Sequence, residues 1–152
     1  MDSVFKDKVI EIIAEVLELE NDEVGLDDAL VDDLGADSLD IVDLSFSLGK
    51  TFKIQMPQKS VIAHALEVAD EDSVFVVNER LTAKGAELLQ LSPFKYSAEN
   101  VTEGVSLTEV YLSTSVSNWA NVCFAIKESG LPGEDVIHHY VSTFCEQLKA
   151  VA

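Results

Sequence analysis

The stretch Leu34-Gly35-Ala36-Asp37-Ser38-Leu39-Asp40 constrains this chain more than any other, because it joins an acidic loop to an amphipathic helix at one defined residue. Upstream, residues 20–37 carry Glu20, Asp22, Glu23, Asp27, Asp28, Asp32 and Asp33. Downstream, residues 38–52 read as a helix, with Leu39, Val42 and Phe46 along one face and Ile41, Leu44, Leu48 and Phe52 on adjoining faces. Gly35 suits a tight turn, since glycine takes backbone angles that other residues avoid. Ser38 stands where the periodic run begins, which is a helix N-terminus signal. Its oxygen can cap orphan backbone N–H groups. Esterified by a phosphate, it would set that negative charge at the positive end of the helix dipole.

The flanking segments are helical too. Phe5, Val9, Ile12, Ile13, Val16 and Leu17 have helical spacing within residues 3–19, with Asp2 or Ser3 as cap. Pro57 opens residues 57–72, where Val61, Ile62, Ala65, Leu66 and Ala69 make the apolar face and His64 falls on the opposite, rim side. Val74 to Val77 reads as a brief strand, Asn78-Glu79 as a turn and Arg80-Leu81 as a partner strand. Thr82 can cap a helix from Ala83 to Leu91, ended by Ser92-Pro93, and residues 94–113 read as a loop with local turns. A further helix covers 114–128, with Thr114 or Ser115 as cap and Val116, Trp119, Val122, Cys123 and Ile126 on its apolar face. Gly130 to Gly133 is a break, and a final amphipathic helix covers 134–150.

Charge narrows the function. The formal net charge is -18, with the acids concentrated in residues 1–73. Nucleic acid and anionic membrane surfaces would repel such a chain, whereas partners with basic docking patches would be steered to it. Cys123 and Cys145 have neither zinc nor Cys-x-x-Cys spacing and read as buried free thiols of a reducing compartment. The start, Met1-Asp2-Ser3, lacks the basic opening of a secretory signal and no run reaches membrane-spanning length, so a cytoplasmic protein is expected. The acidic loop fails as a calcium site, because Asn21-Asp22-Glu23-Val24-Gly25 lacks the alternation of oxygen ligands an EF-hand needs. His138 and His139 are adjacent, hence about 100° apart on a helix, and make no same-face metal pair. No metal site is expected. Neither Gly-x-Ser-x-Gly around Ser38 nor a phosphate-binding glycine loop is present, so nothing marks an enzyme.

Leu-Gly-Ala-Asp-Ser-Leu-Asp resembles the prosthetic-group site of type II acyl carrier proteins, and the flanks strengthen the likeness. Val31-Asp32-Asp33-Leu34 is similar to the family's acidic lead-in, and Phe52-Lys53-Ile54-Gln55-Met56-Pro57 to its Phe-x-Ile-x-[Ile/Met]-Pro exit from the second helix. The resemblance implies that Ser38 carries 4′-phosphopantetheine through a phosphodiester. It implies an all-α, four-helix bundle of carrier type in a single domain, 1–152. Residues 1–72 and 114–128 would form the bundle core, 73–113 an inserted segment and 134–150 an additional C-terminal helix.

The same likeness implies partner recognition by Asp37, Leu39, Asp40, Ile41 and Asp43, and an acyl pocket bordered by Val42, Phe46, Leu30 and Ile62. The expected partners are a phosphopantetheinyl transferase (holo-acyl-carrier-protein synthase) and acyltransferases and ketosynthases with basic docking patches, met by a monomer. The expected function is delivery of thioester-bound acyl groups to fatty-acid, lipid A or other lipopolysaccharide, or polyketide synthesis. Two alternatives stand beside it: an aminoacyl or peptidyl carrier, disfavoured by Ala36-Asp37 in place of Gly-Gly, and an acidic adaptor with Ser38 unmodified. Gly49-Lys50-Thr51 and Lys53 depart from the acidic run that housekeeping carriers show before the phenylalanine, which points to a specialised variant.

Overall fold

A computed structural model describes residues 1–151. The helices are α1 (Ser3–Leu17), α2 (Ser38–Phe52), α3 (Val61–Val68), α4 (Ala83–Leu91), α5 (Leu107–Ser113), α6 (Val116–Ser129) and α7 (Gly133–Ala150). One small antiparallel ribbon pairs β1 (Val76–Val77) with β2 (Arg80–Leu81), Val76 opposite Leu81 and Val77 opposite Arg80. The chain is thus all-α in character, as expected.

Local chemistry explains most boundaries. Asp2, Ser60, Thr82, Ser106 and Ser115 each accept a backbone N–H three residues on, at the heads of α1, α3, α4, α5 and α6. Helix α7 has no such side-chain cap, but begins with Pro132 at its N-cap and Glu134 and Asp135 in its first turn, where the dipole favours negative charge. The expected loop over 94–113 is corrected at its end: α5 is a helix of two turns, too short for its spacing to be told from an irregular apolar run.

Two apolar cores lie on either side of α6. Val9, Ile13, Leu30, Leu44, Leu48, Val116 and Cys123 pack α1, α2, α6 and the acidic loop together. Val61, Ala65, Phe75, Leu88, Val122, Ile126, Ile137 and Val141 pack α3, α4 and α7 against the other face of α6. Helix α6 is therefore the shared wall.

Helix α7 covers α3, and this corrects the reading of His64, which is only 4% exposed and not at a rim. The start of α7 meets the chain between α2 and α3 closely. Gly133 N–H donates to Gln55 O at 2.7 Å, and a Cβ on Gly133 would come within 2.5 Å of that same oxygen. Glu134 then reaches across, its Oε1 accepting Gln58 N–H at 2.8 Å and Lys59 N–H at 3.1 Å.

Candidate functional site

Ser38 sits at the first position of α2, exposed, where two structural devices converge. The first is the anchoring of the loop that leads to it. Leu30 N–H donates to Thr114 O (3.1 Å), Val116 N–H to Asp28 O (3.0 Å) and Ser117 N–H to Leu26 O (2.8 Å), so the acidic loop is stitched to the head of α6. Asp33 folds back to accept Ala29 N–H at 2.7 Å, and Gly35 turns the chain at φ +74°. Buried Val24, Ala29, Leu30 and Ala36 fix the loop to the core.

The second device is the cap. The cap of α2 is Asp37 rather than Ser38, its carboxylate accepting Asp40 N–H at 2.9 Å while the Asp40 carboxylate accepts Asp37 N–H at 3.0 Å. Among the described residues no hydrogen bond engages the Ser38 hydroxyl. Its oxygen projects from the positive end of a 15-residue helix, whose first N–H groups are free to face an anion. A phosphodiester on this oxygen fits the donor set.

Helix α2 divides its apolar residues between two surroundings, and the division corrects part of the site. Leu44 and Leu48 are buried against α1 and α6. Val42 and Phe46, expected at the acyl pocket, point to solvent at 65% and 72% exposure. With Leu39, 73% exposed, they form an outward stripe at i, i+3 and i+7. Asp37 and Asp43 are exposed beside it, and Asp40 is half-buried. Ile41, expected on the partner-facing side, turns instead toward a cavity. Both reversals have one cause: α2 is apolar over more than one stripe, so periodicity alone does not choose the face its neighbours cover.

That cavity has a volume of about 340 Å³, within the range of small-molecule sites. Leu30, Val31 and Ile41 line it on the side of Ser38, and Val61 and Ile62 of α3 and Trp119 of α6 close other sides. Leu30 and Ile62, named from the sequence as acyl-pocket residues, both line this cavity. A further wall comes from 73–113, through Leu89, Phe94, Tyr96, Leu107, Val110 and Tyr111. Phe94 and Tyr96 stack at 5.5 Å between centroids, and Phe94 meets Trp119 edge to face at 6.4 Å. The Tyr96 hydroxyl lies 3.5 Å from Thr114 Oγ1, and burial pushes its pKa up against the opposing effect of that contact.

Sequence reasoning also missed Asn118. It is 5% exposed, closes a capping box with Ser115, and donates through Nδ2 to Phe94 O at 2.9 Å. A lone asparagine on an amphipathic helix gives no hint of such a partner in sequence.

Burial pushes the Cys123 thiol up to about 12, which keeps it protonated and unreactive at neutral pH. Among the described residues no group of three or more His, Cys, Asp or Glu side chains is arranged to hold a metal. Among the described residues no helix is long and apolar enough to cross a membrane.

Comparison with known proteins agrees with this geometry. The family model for the phosphopantetheine attachment site matches residues 7–72. Acyl carrier protein AcpXL of Brucella melitensis is 37% identical over 89 residues, covering 59% of this chain and 95% of that protein. AcpXL of Rhizobium meliloti is 35% identical over 82 residues, covering 54% of this chain and 86% of its own. The acyl carrier protein of Clostridium acetobutylicum is 45% identical over 53 residues, covering 35% of this chain and 69% of its own. No solved structure matches. These relatives end well short of 152 residues of similarity, yet one of them is matched over nearly its whole length, and the chain belongs to the acyl carrier protein family, whose members are phosphopantetheine-bearing carriers and not enzymes.

Proposed function

We propose that Ser38 carries the 4′-phosphopantetheine arm and that this chain delivers acyl groups to enzymes of fatty-acid or specialised lipid synthesis. The observation that carries the reading is an exposed serine with a disengaged hydroxyl at the N-terminus of a helix, three residues before Ile41, which lines an apolar cavity. When attached, the arm supplies a terminal thiol that holds acyl groups as thioesters.

The rest is work of the chain's own residues. Ser38 Oγ forms the phosphoester, and the first turn of α2 faces the negative phosphate with free N–H groups. Asp37 and Asp40 keep those N–H groups in place by capping the turn from the side. Leu30, Ile41 and Ile62 offer apolar surface to an acyl chain, at about 0.8 kcal/mol for each CH₂ removed from water.

Partners read the outside of the same helix. Leu39, Val42 and Phe46 supply a desolvatable stripe, and Asp37, Asp40 and Asp43 supply charge for a basic patch on a transferase, acyltransferase or ketosynthase. Lys50 and Lys53, near the far end of α2, would disfavour partners whose basic patch runs the full helix. The departure of Gly49-Lys50-Thr51 and Lys53 from the acidic run of housekeeping carriers favours a specialised lipid pathway over general fatty-acid synthesis.

Mass mapping of the protein isolated from its native cells tests the reading. A phosphopantetheine adduct on the peptide containing Ser38 is expected. An unmodified serine throughout the pool would contradict it.

A further inference from the structure

The inserted segment, residues 73–113, has no counterpart in the four-helix expectation, yet it is tied into the molecule at many points. Leu81 N–H donates to Val105 O and accepts at its own carbonyl from Gly104 N–H, at 2.8 and 2.9 Å. Leu107 N–H donates to Glu79 O at 3.0 Å, and Gln90 Nε2 to Val101 O at 2.8 Å. These bonds make one folded unit of the ribbon, α4 and α5. Asn118 and Asn121 of α6 then both donate to Phe94 O, at 2.9 and 3.2 Å, and so fasten the unit to the bundle beside the cavity.

The lining identifies what the chamber accepts. Among the described residues, Lys59 is the one charged side chain that borders it, and its Nζ is paired with Glu67 at 2.7 Å. In a chain of net charge -18, a chamber free of carboxylates is set apart from the rest of the surface. An uncharged hydrocarbon suits it, whereas a charged or zwitterionic aminoacyl group would lose its hydration there without a partner.

We propose that the inserted segment is the far wall of the acyl chamber, and that Leu89, Phe94 and Val110 select hydrocarbon acyl chains long enough to pass Ile41 and pack against them. This rests on the carrier reading of Ser38. Short acyl groups end among Leu30, Ile41 and Ile62 and gain nothing from the insertion. Longer chains gain contact with each added methylene until the chamber is filled, at up to about fourfold in the sheltered population per CH₂.

The test uses the full chain, charged at Ser38 by a broad-specificity phosphopantetheinyl transferase with butyryl-, octanoyl- or dodecanoyl-coenzyme A, and confirmed by intact mass. Two readouts follow. Nuclear Overhauser contacts are recorded from the acyl chain to labelled Leu and Val methyl groups, and fluorescence is recorded from Trp119, the single tryptophan, which borders the chamber.

Contacts from the dodecanoyl chain to Leu89 and Val110, absent with butyryl, together with a chain-length-dependent Trp119 shift, are expected. In Val110→Phe, which fills the chamber from the insertion side, the dodecanoyl contacts to Leu89 should fall at least tenfold while charging of Ser38 is unchanged. If that variant does not fold, the wild-type contacts decide alone. Contacts confined to α2 and α3 methyl groups at every chain length would overturn the proposal and leave the carrier reading standing. Failure to gain mass would instead strike the carrier reading itself.

Discussion

Asp37 and Asp40 cap each other's backbone at the head of α2, with carboxylate to N–H distances of 2.9 and 3.0 Å, and by doing so leave the intervening Ser38 hydroxyl without a partner. A serine that capped its own helix would have its oxygen turned inward toward the second or third N–H. Shifting the cap by one residue turns the same hydroxyl outward. The acidic residues of this turn thus have a structural task as well as a docking one, and the two can be separated.

Asp37→Ala removes the cap and the charge, and should lower stability by about 1 kcal/mol. Asp37→Asn keeps an oxygen acceptor and removes only the charge. Its urea midpoint should stay near wild type while arm transfer slows through a higher KM. Equal loss of transfer in both variants, with the stability difference preserved, would assign the effect to docking charge. Normal transfer by Asp37→Asn would remove Asp37 from the docking set.

Two apolar residues of α2 should behave oppositely on truncation. Leu48 is fully buried, and Leu48→Ala should cost about 2–5 kcal/mol by cavity formation. Phe46 is largely solvent-exposed, so Phe46→Ala should stay within about 0.5 kcal/mol of wild type. Its effect should appear in partner affinity, measured by titration against the transferase. A large loss of stability in Phe46→Ala would mean that its ring packs on the protein in solution.

The clasp between α7 and the segment before α3 should be sensitive to acid. Partial burial raises the Glu134 carboxyl, but the N–H groups of Lys59 and Gln58, with His64 beside them, outweigh it and leave the pKa below the ordinary carboxylate value. A depressed folded-state pKa contributes stability above the unfolded-state value, near 4.3 for a free glutamate, and loses it as pH falls through the folded value. Wild type should therefore be more stable than Glu134→Gln at neutral pH, with a difference that is flat above about pH 5.5 and shrinks as the solution is acidified toward pH 3. Chemical denaturation across that range measures it. A difference independent of pH would contradict the clasp.

Much of this architecture was legible because local signals agreed with one another. The head of α2, the ribbon, α4 with its Thr82 cap, and the break at Gly130–Gly133 each rest on capping or turn chemistry within a few residues. What was not legible depends on contacts distant in sequence. His64 was read as a rim residue because nothing in 57–72 announces that α7, some seventy residues later, lies over it. Val42 and Phe46 were placed at the pocket because α2 is apolar on two stripes, and only the positions of α1, α3 and α6 decide which is covered. Phe94 and Tyr96 lie in an irregular stretch with no period to read, and the asparagines that hold that stretch sit more than twenty positions away.

The central claim is that Ser38 is the attachment residue, and intact-protein mass tests it most directly. Wild type and Ser38→Ala are each incubated with a broad-specificity phosphopantetheinyl transferase and coenzyme A, with circular dichroism to show that both are folded. A gain of one phosphopantetheine unit by wild type alone is the predicted result. No gain by folded wild type, or an equal gain by Ser38→Ala, would contradict it.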